Sequence, residues 1–174
     1  MAPQSYQAPT QGDLEQNSTV SQSAESNLSS GSTTVAELLE KKGNLVFSVT
    51  AEDTIADVVV TLRDKRIGAL LVVDENSNLE GILSERDIVR KLAETPGQTL
   101  PQKVSDLMTK DVVTCSPNDL LVGVLKKMTD GRFRHMPVVD NGKLCGMVTI
   151  GDVVGYRINE LEYEALRMKQ LIVG

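Results

Sequence analysis

The chain has 174 residues and a formal net charge of −6, with 40% hydrophobic and 24% charged residues. This length corresponds to about one ordinary domain or two very small ones, and it excludes a catalytic barrel of about 250 residues. The acidic balance and the 3% aromatic content argue against nucleic-acid and anionic-membrane partners, which attract positive charge or aromatic stacking platforms. The apolar runs are also far shorter than the roughly 18 residues that span a bilayer.

Residues 1–32 are rich in Ser, Gln, Thr and Asn and show no hydrophobic period, so we predict a disordered tail. A short helix is predicted over 33–43, because Thr34 and Glu37 form a capping-box pattern and Gly43 ends the segment. The first basic residue is Lys41, and a signal or transit peptide needs earlier Lys or Arg. We therefore expect a cytoplasmic protein.

The rest of the chain repeats itself. Asp53 falls on Asp119, 66 positions later, and the match continues without a gap to Asp74 on Asp140. The matched apolar positions have the three- and four-residue spacing of a helix and are followed by a short buried strand. They pair Ile55, Val58, Val59 and Leu62 with Leu121, Val124, Leu125 and Met128. The pattern predicts two copies of a strand–helix–strand–turn–strand–helix unit, over 44–98 and 103–162.

Each copy has about 50 residues, a size at which a single core is marginal. We therefore expect an α/β (α+β) fold in which the two copies pack through their strands about a quasi-two-fold axis. Equivalent residues of both copies would then line a cleft between them, where small ligands tend to bind.

The second copy continues into a longer helix from Asp152 to about Gln170, with its C-terminal end in 163–174. This helix has an apolar stripe formed by Val154, Ile158, Leu161, Ala165, Met168 and Leu171. Two partners for the stripe are open: a second subunit, or the helix's own chain.

Both copies contain the same seven-residue motif: a Gly, two apolar residues, a Ser or Thr, two further residues of varying type and an Asp. It places Ser84 and Asp87 in the first copy and Thr149 and Asp152 in the second. At a helix N-terminus the hydroxyl and free N–H groups could bind a phosphate, and the carboxylate could accept hydrogen bonds from a ribose diol. The same spacing is also a capping box with a purely structural role.

Two further segments carry the capping pattern, one beginning at Thr50 and one at Ser116. Pro117 follows Ser116 and suits the first turn of a helix, so this pattern alone does not require a ligand.

Cationic residues distinguish the copies. Arg134 and His135 stand where the first copy has Gly68 and Ala69, and Arg86 has no cationic counterpart in the second copy. Arg134 and His135 could neutralise a phosphate in the cleft, or they could be a surface cation and a local cap.

Catalysis is not expected, since the sequence has no nucleophile elbow and no Walker loop. With one His and no Cys-x-x-Cys spacing, a metal site is not expected either, and Cys115 and Cys145 are typical of small buried thiols.

The repeated unit resembles the cystathionine-β-synthase (CBS) domain. The resemblance is carried by the doubled motif, by the Val-Val-Asp sequence that ends a strand in each copy, and by the segment from Arg134 to Asp140. A tandem pair of such domains is called a Bateman module. The resemblance covers about Gly43 to Glu160. It implies two β-α-β-β-α repeats packed through their sheets, modules that dimerise, and adenosine-containing ligands in the clefts: AMP, ADP, ATP, NAD(H) or S-adenosylmethionine.

The resemblance also assigns roles to particular residues. The ribose-binding carboxylates would be Asp87 and Asp152, and the phosphate-side hydroxyls Ser84 and Thr149. The remaining ligand-binding candidates are Arg86, Arg134 and His135 towards the phosphates and Thr50, Ser116 and Pro117 towards the adenine.

The main hypothesis is a non-enzymatic cytoplasmic sensor that needs no cofactor, forms a homodimer and controls an unidentified protein through a bound adenine nucleotide. The alternative is an adaptor protein that acts through its terminal helices independently of nucleotides. Neither hypothesis involves nucleic acid or a membrane.

Overall fold

The computed structural model describes residues 33–173, so the prediction of a disordered tail over 1–32 lies outside the described residues. The helices within that range are α1 (Val35–Lys42), α2 (Ile55–Lys65), α3 (Glu85–Glu94), α4 (Val104–Leu107), α5 (Leu121–Gly131) and α6 (Ile150–Val173). The strands are β1 (Ser48–Val49), β2 (Ala69–Val73), β3 (Leu79–Ser84), β4 (His135–Asp140) and β5 (Lys143–Thr149).

The first repeat contains a three-stranded sheet in the order β1-β2-β3. β1 runs parallel to β2, and β2 runs antiparallel to β3 with a register shift after Val72. Side chains alternate between the two faces of a strand. Because Leu70 and Leu71 are both fully buried, β2 is covered on both faces, as expected for a sheet that faces another repeat.

The second repeat lacks a full first strand, which differs from the predicted unit. Its β4 and β5 form a two-stranded sheet, and Cys115 contributes only an isolated parallel bridge to Val138. In the first repeat the N–H of Leu71 donates to the carbonyl of Phe47, and Leu71 corresponds to Pro137. Proline has no N–H to donate, so the equivalent hydrogen bond cannot form and the ladder is shortened.

Each repeat has its own apolar core, and each core includes a segment that precedes the other repeat. α1, which comes before the first repeat, packs into the second core, and α4, which lies at the start of the second repeat, packs into the first. Backbone hydrogen bonds fix both exchanges: Val35 N–H donates to Asp119 O, and Val104 N–H donates to Asp53 O. The exchange joins the two repeats.

The predicted capping box at the start of α1 is confirmed, with the hydroxyl of Thr34 accepting from Glu37 N–H and the Glu37 carboxylate accepting from Thr34 N–H. The prediction that Ser116 and Pro117 begin a helix is wrong. α5 begins at Leu121, and Ser116 instead accepts from Asn118 N–H in a turn. Thr50 likewise begins a turn, since α2 is capped by Thr54.

The α6 stripe is exposed and does not fold back on its own chain. Its members Val154, Ile158, Leu161, Met168 and Leu171 are all exposed, with Leu171 at 83%. A search of the described residues found no helix with the length and apolar character needed to cross a membrane.

Candidate functional site

A cleft of about 290 Å³ lies between the two repeats. One wall is the junction of β3 and α3, where an extended strand turns into a helix at Ser84. The opposite wall is the end of α5 and the start of β4, and the segment after α4 forms the third side. The cleft therefore brings together residues that are far apart in the chain.

Ser84 and Asp87 lie in this cleft, and the structure shows them forming a cap. The Oδ2 atom of Asp87 accepts hydrogen bonds from the backbone N–H of Ser84, at 3.0 Å, and from its hydroxyl. Within residues 33–173, Oδ1 of Asp87 has no hydrogen-bond partner. The capping role therefore leaves one carboxylate oxygen able to accept from a ligand.

Arg86 reaches across the cleft from the first repeat to the second. Its Nη1 atom donates to the carbonyl oxygen of Arg132 at 2.9 Å. Arg132 ends α5 in the left-handed conformation, with φ of 57°. This hydrogen bond directly connects the two walls.

His135 lies on the wall opposite Ser84, next to the first repeat. A Cβ atom added at Gly68 would lie 3.3 Å from Cε1 of His135, so the absence of a side chain at Gly68 leaves room for the imidazole. Burial, followed by the neighbouring charge of Arg134, lowers the pKa of His135 below 6.5. The imidazole is consequently neutral at pH 7.

The second copy of the motif lies outside this cleft. Thr149 and Asp152 form a capping box: Thr149 N–H donates to Oδ2 of Asp152 at 2.8 Å, and Asp152 N–H donates to Oγ1 of Thr149 at 3.1 Å. The ammonium group of Lys42, at the end of α1, lies 2.6 Å from the same Oδ2 atom. Burial opposes ionisation of Asp152, but the hydrogen bonds from Lys42 and Thr149 outweigh it and lower the pKa of this carboxyl. The Asp152 carboxylate thus already has a cationic partner.

The ten predicted ligand-binding residues therefore separate into two groups. The cleft is lined by five of them: Ser84, Arg86, Asp87, Arg134 and His135. The other five are not part of its lining: Thr50, Ser116, Pro117, Thr149 and Asp152.

The cleft also contains residues that sequence reasoning missed. Arg90 and Arg132 add positive charge, and apolar surface comes from Ile82, Val112, Val113 and Phe133. Arg90 follows Arg86 by one helical turn, a spacing that places both on one face of α3 and could have been noticed. In the 66-residue register Val112 and Val113 match Val46 and Phe47, which lead into β1, and no sequence pattern indicates that they face the first repeat. In the described part of the chain, no cluster of three or more His, Cys, Asp and Glu could hold a metal ion.

Comparison with known proteins identifies the repeats. A protein-family model described as the CBS domain matches residues 44–94 and 104–159. Over 151 residues the chain is 34% identical to the CBS domain-containing protein CBSX3, mitochondrial, of Arabidopsis thaliana, covering 82% of this chain and 73% of that protein. The chain spans only 32% and 26% of two longer curated relatives.

Solved structures share the fold. The CBS-domain containing protein ATU1752 from Agrobacterium tumefaciens has a TM-score of 0.70 and 42% identity, covering 72% of this chain and 99% of that one. The CBS domain pair of protein MJ0100, solved in complex with 5-methylthioadenosine and S-adenosyl-L-methionine, has a TM-score of 0.60 and 27% identity, covering 71% and 94%.

Proposed function

The chain belongs to the CBS-domain family, and from this premise we propose that it is a regulatory protein that binds an adenosine-containing ligand in the cleft between its repeats. The proposal is binding without turnover: the ligand changes the geometry of the module, or its affinity for a regulated protein. A coupling of about 1–3 kcal/mol would suffice for such control.

One observation carries the proposal: the cleft presents three kinds of surface that match the three parts of a nucleotide. Ile82, Val113 and Phe133 offer apolar surface to a base. The free Oδ1 of Asp87 can accept from a ribose hydroxyl. Arginine side chains can donate to phosphate oxygens. The volume of about 290 Å³ is close to the lower end of the range for small-molecule sites, roughly 300–1,000 Å³.

The complex of MJ0100 supports the ligand class, because that CBS domain pair was solved with two adenosine derivatives. The match covers 94% of the solved domain pair, so the resemblance extends over a complete pair of repeats.

We propose that each chain binds one ligand. The motif of the second repeat has its carboxylate paired with Lys42 at 2.6 Å, whereas Asp87 has no cationic partner among the described residues. Both carboxylates keep one oxygen outside their cap, but a ribose diol at Asp152 would share the carboxylate with an ammonium group, which attracts it more strongly than a neutral hydroxyl does.

We also propose that the protein is a homodimer in the cytoplasm, with the exposed α6 stripe covered by a second copy. The exposure of Ile158 and Leu161 supports this assignment, since an extended apolar face in water usually has a partner. Sedimentation equilibrium measures the oligomeric state directly. The compartment stays a prediction, because the Arabidopsis relative is named as mitochondrial.

The test is a comparison of two matched carboxylate variants, Asp87→Asn and Asp152→Asn. A thermal-shift panel of AMP, ATP, NADH and S-adenosylmethionine first finds the ligand, and calorimetry then measures its affinity. Loss of a charge-assisted hydrogen bond of about 1.5–3 kcal/mol predicts at least tenfold weaker binding to Asp87→Asn and little change for Asp152→Asn.

Three outcomes would count against this proposal. Equal weakening by both variants would contradict the single site, and weakening by Asp152→Asn alone would move the site to the second repeat. If no member of the panel raises the melting temperature, the nucleotide-independent adaptor function is favoured.

A further inference from the structure

The cleft carries an excess of cationic side chains. Four arginines line it: Arg86 and Arg90 on α3, and Arg132 and Arg134 on the opposite wall. The acidic residues in the same lining are Glu85, Asp87 and Asp111. Guanidinium groups on two facing walls can donate to one anion from both sides.

These arginines lack anionic partners of their own. Among the described residues 33–173, none of the four forms an ion pair. Arg86 donates to the backbone carbonyl of Arg132, a neutral acceptor. Clustered guanidinium charges repel one another unless an anion neutralises them.

The second repeat provides an internal comparison. In the register that places Ser84 on Thr149, Arg86 corresponds to Gly151 and Arg90 to Gly155. Both of these arginines of α3 are thus replaced by hydrogen atoms at the equivalent positions of α6. The capping motif is the same in both repeats, so these arginines are not needed for the fold of the motif.

We infer that the ligand of this cleft carries a chain of two or more phosphates, and that Arg86 and Arg90 are the residues that select it. This inference rests on the proposed function for the adenosine part of the ligand, and it specifies in addition that the ligand is a polyphosphate anion. Arg86, Arg90, Arg132 and Arg134 are all exposed, which places them where a phosphate chain extends towards the mouth of the cleft. Adenosine is uncharged and S-adenosylmethionine carries a net positive charge with a single carboxylate, so both gain less from these four charges than a phosphate chain does.

The test measures the affinities of ATP, AMP, adenosine, S-adenosylmethionine and inorganic tripolyphosphate by calorimetry. The variants are Arg86→Gln and Arg90→Gln, which keep a good helix former at exposed positions. Arg63→Gln is the matched control, since Arg63 is an exposed arginine on α2 that pairs with Asp64 outside the cleft.

The expected result is that ATP binds the natural protein at least tenfold more tightly than AMP and adenosine, and that S-adenosylmethionine binds most weakly. Arg86→Gln and Arg90→Gln should each weaken ATP about tenfold while changing the adenosine affinity less than twofold, and Arg63→Gln should change neither. The preference for ATP should also decrease as salt is added, because screening weakens exposed charge interactions.

Failure of this inference differs from failure of the proposed function. AMP binding as tightly as ATP, or arginine variants that weaken adenosine and ATP equally, would overturn the inference and leave the adenosine site in place. Binding of tripolyphosphate that depends on Arg86, with no binding of any adenosine-containing ligand, would support the phosphate inference and overturn the proposed function.

Discussion

Replacing Lys42 by Met tests the contact that ties α1 to the second repeat. The ammonium group lies 2.6 Å from Oδ2 of Asp152, and the two side chains are 27% and 26% exposed. Exposed ion pairs contribute about 0.2–1 kcal/mol, whereas removing one partner of a buried pair costs about 3–5 kcal/mol. For this half-buried pair we expect a loss of about 1.5 kcal/mol, which corresponds to a melting temperature lower by roughly 3–6 °C.

The loss should depend on pH with a definite sign. Burial alone would raise the pKa of Asp152, but the hydrogen bonds from Lys42 and Thr149 dominate and lower it from its ordinary 3.8. A carboxyl whose pKa is lowered by folding stabilises the protein fully above the unfolded value, and this stabilisation disappears as the pH falls through the folded value. The difference between the natural protein and Lys42→Met should therefore be constant near pH 7 and shrink as the pH falls below 3.8.

The assay is urea unfolding of both proteins at pH 7 and at several acidic pH values. Lys126→Met is the matched control, because Lys126 is an exposed lysine on α5 with no ion pair among the described residues. Equal stability of Lys42→Met and the natural protein at pH 7 would refute the reasoning. A destabilisation that persists unchanged below the folded pKa of Asp152 would show that the effect comes from the packing of the lysine stem.

Two further predictions concern packing and ionisation. Gly81→Ala should lower the free energy of unfolding by about 1–3 kcal/mol, and by more than Gly146→Ala does. A Cβ at Gly81 meets the backbone oxygen of Thr109 at 3.0 Å, whereas a Cβ at Gly146 meets the movable end of the Leu39 side chain at 2.9 Å. Equal urea midpoints for the two variants would contradict this prediction. His135 is the single histidine of the chain, so its proton NMR titration should show one midpoint, below 6.5. This midpoint should rise when a nucleotide binds, since phosphate charge favours the imidazolium. A midpoint at or above 6.5 in the free protein would show that the ring is not desolvated.

The repeat and its cores could be predicted from the sequence because they depend on local periodicity. Ile55, Val58 and Leu62 are buried, as are Leu121, Val124 and Met128 at the matched positions. Val59 was expected on the same apolar face and is 39% exposed, because four residues after Ile55 it lies at the edge of the α2 stripe. The shortened sheet of the second repeat was missed, although Pro137 was visible in the sequence.

The candidate site could be predicted only in part, because it depends on which segments meet. The motif located Ser84 and Asp87, and the contrast between the copies located Arg86, Arg134 and His135. The exchange of α1 and α4 between repeats is a long-range property that no local pattern records. It determines that Val112 and Val113 line the cleft and that Lys42 reaches Asp152.

This exchange explains why two nearly identical motifs become chemically unequal. In the 66-residue register Lys42 corresponds to Met108, which packs against the core of the first repeat. The segment entering the first repeat thus ends in a cation that pairs with the carboxylate of the second motif. The segment entering the second repeat ends in an apolar side chain and leaves Asp87 without a cationic partner among the described residues.

Two separate differences therefore distinguish the two motifs: the pairing of the carboxylate, and the presence of cations on the helix that follows it. Lys42→Met removes the first difference and leaves the second, because Gly151 and Gly155 remain in place of Arg86 and Arg90. We expect Lys42→Met to bind one ATP per chain, the stoichiometry that we propose for the natural protein, when binding is measured by calorimetry. A second ATP of comparable affinity would show that the arginines are dispensable and that Lys42 alone prevents the second motif from binding a nucleotide.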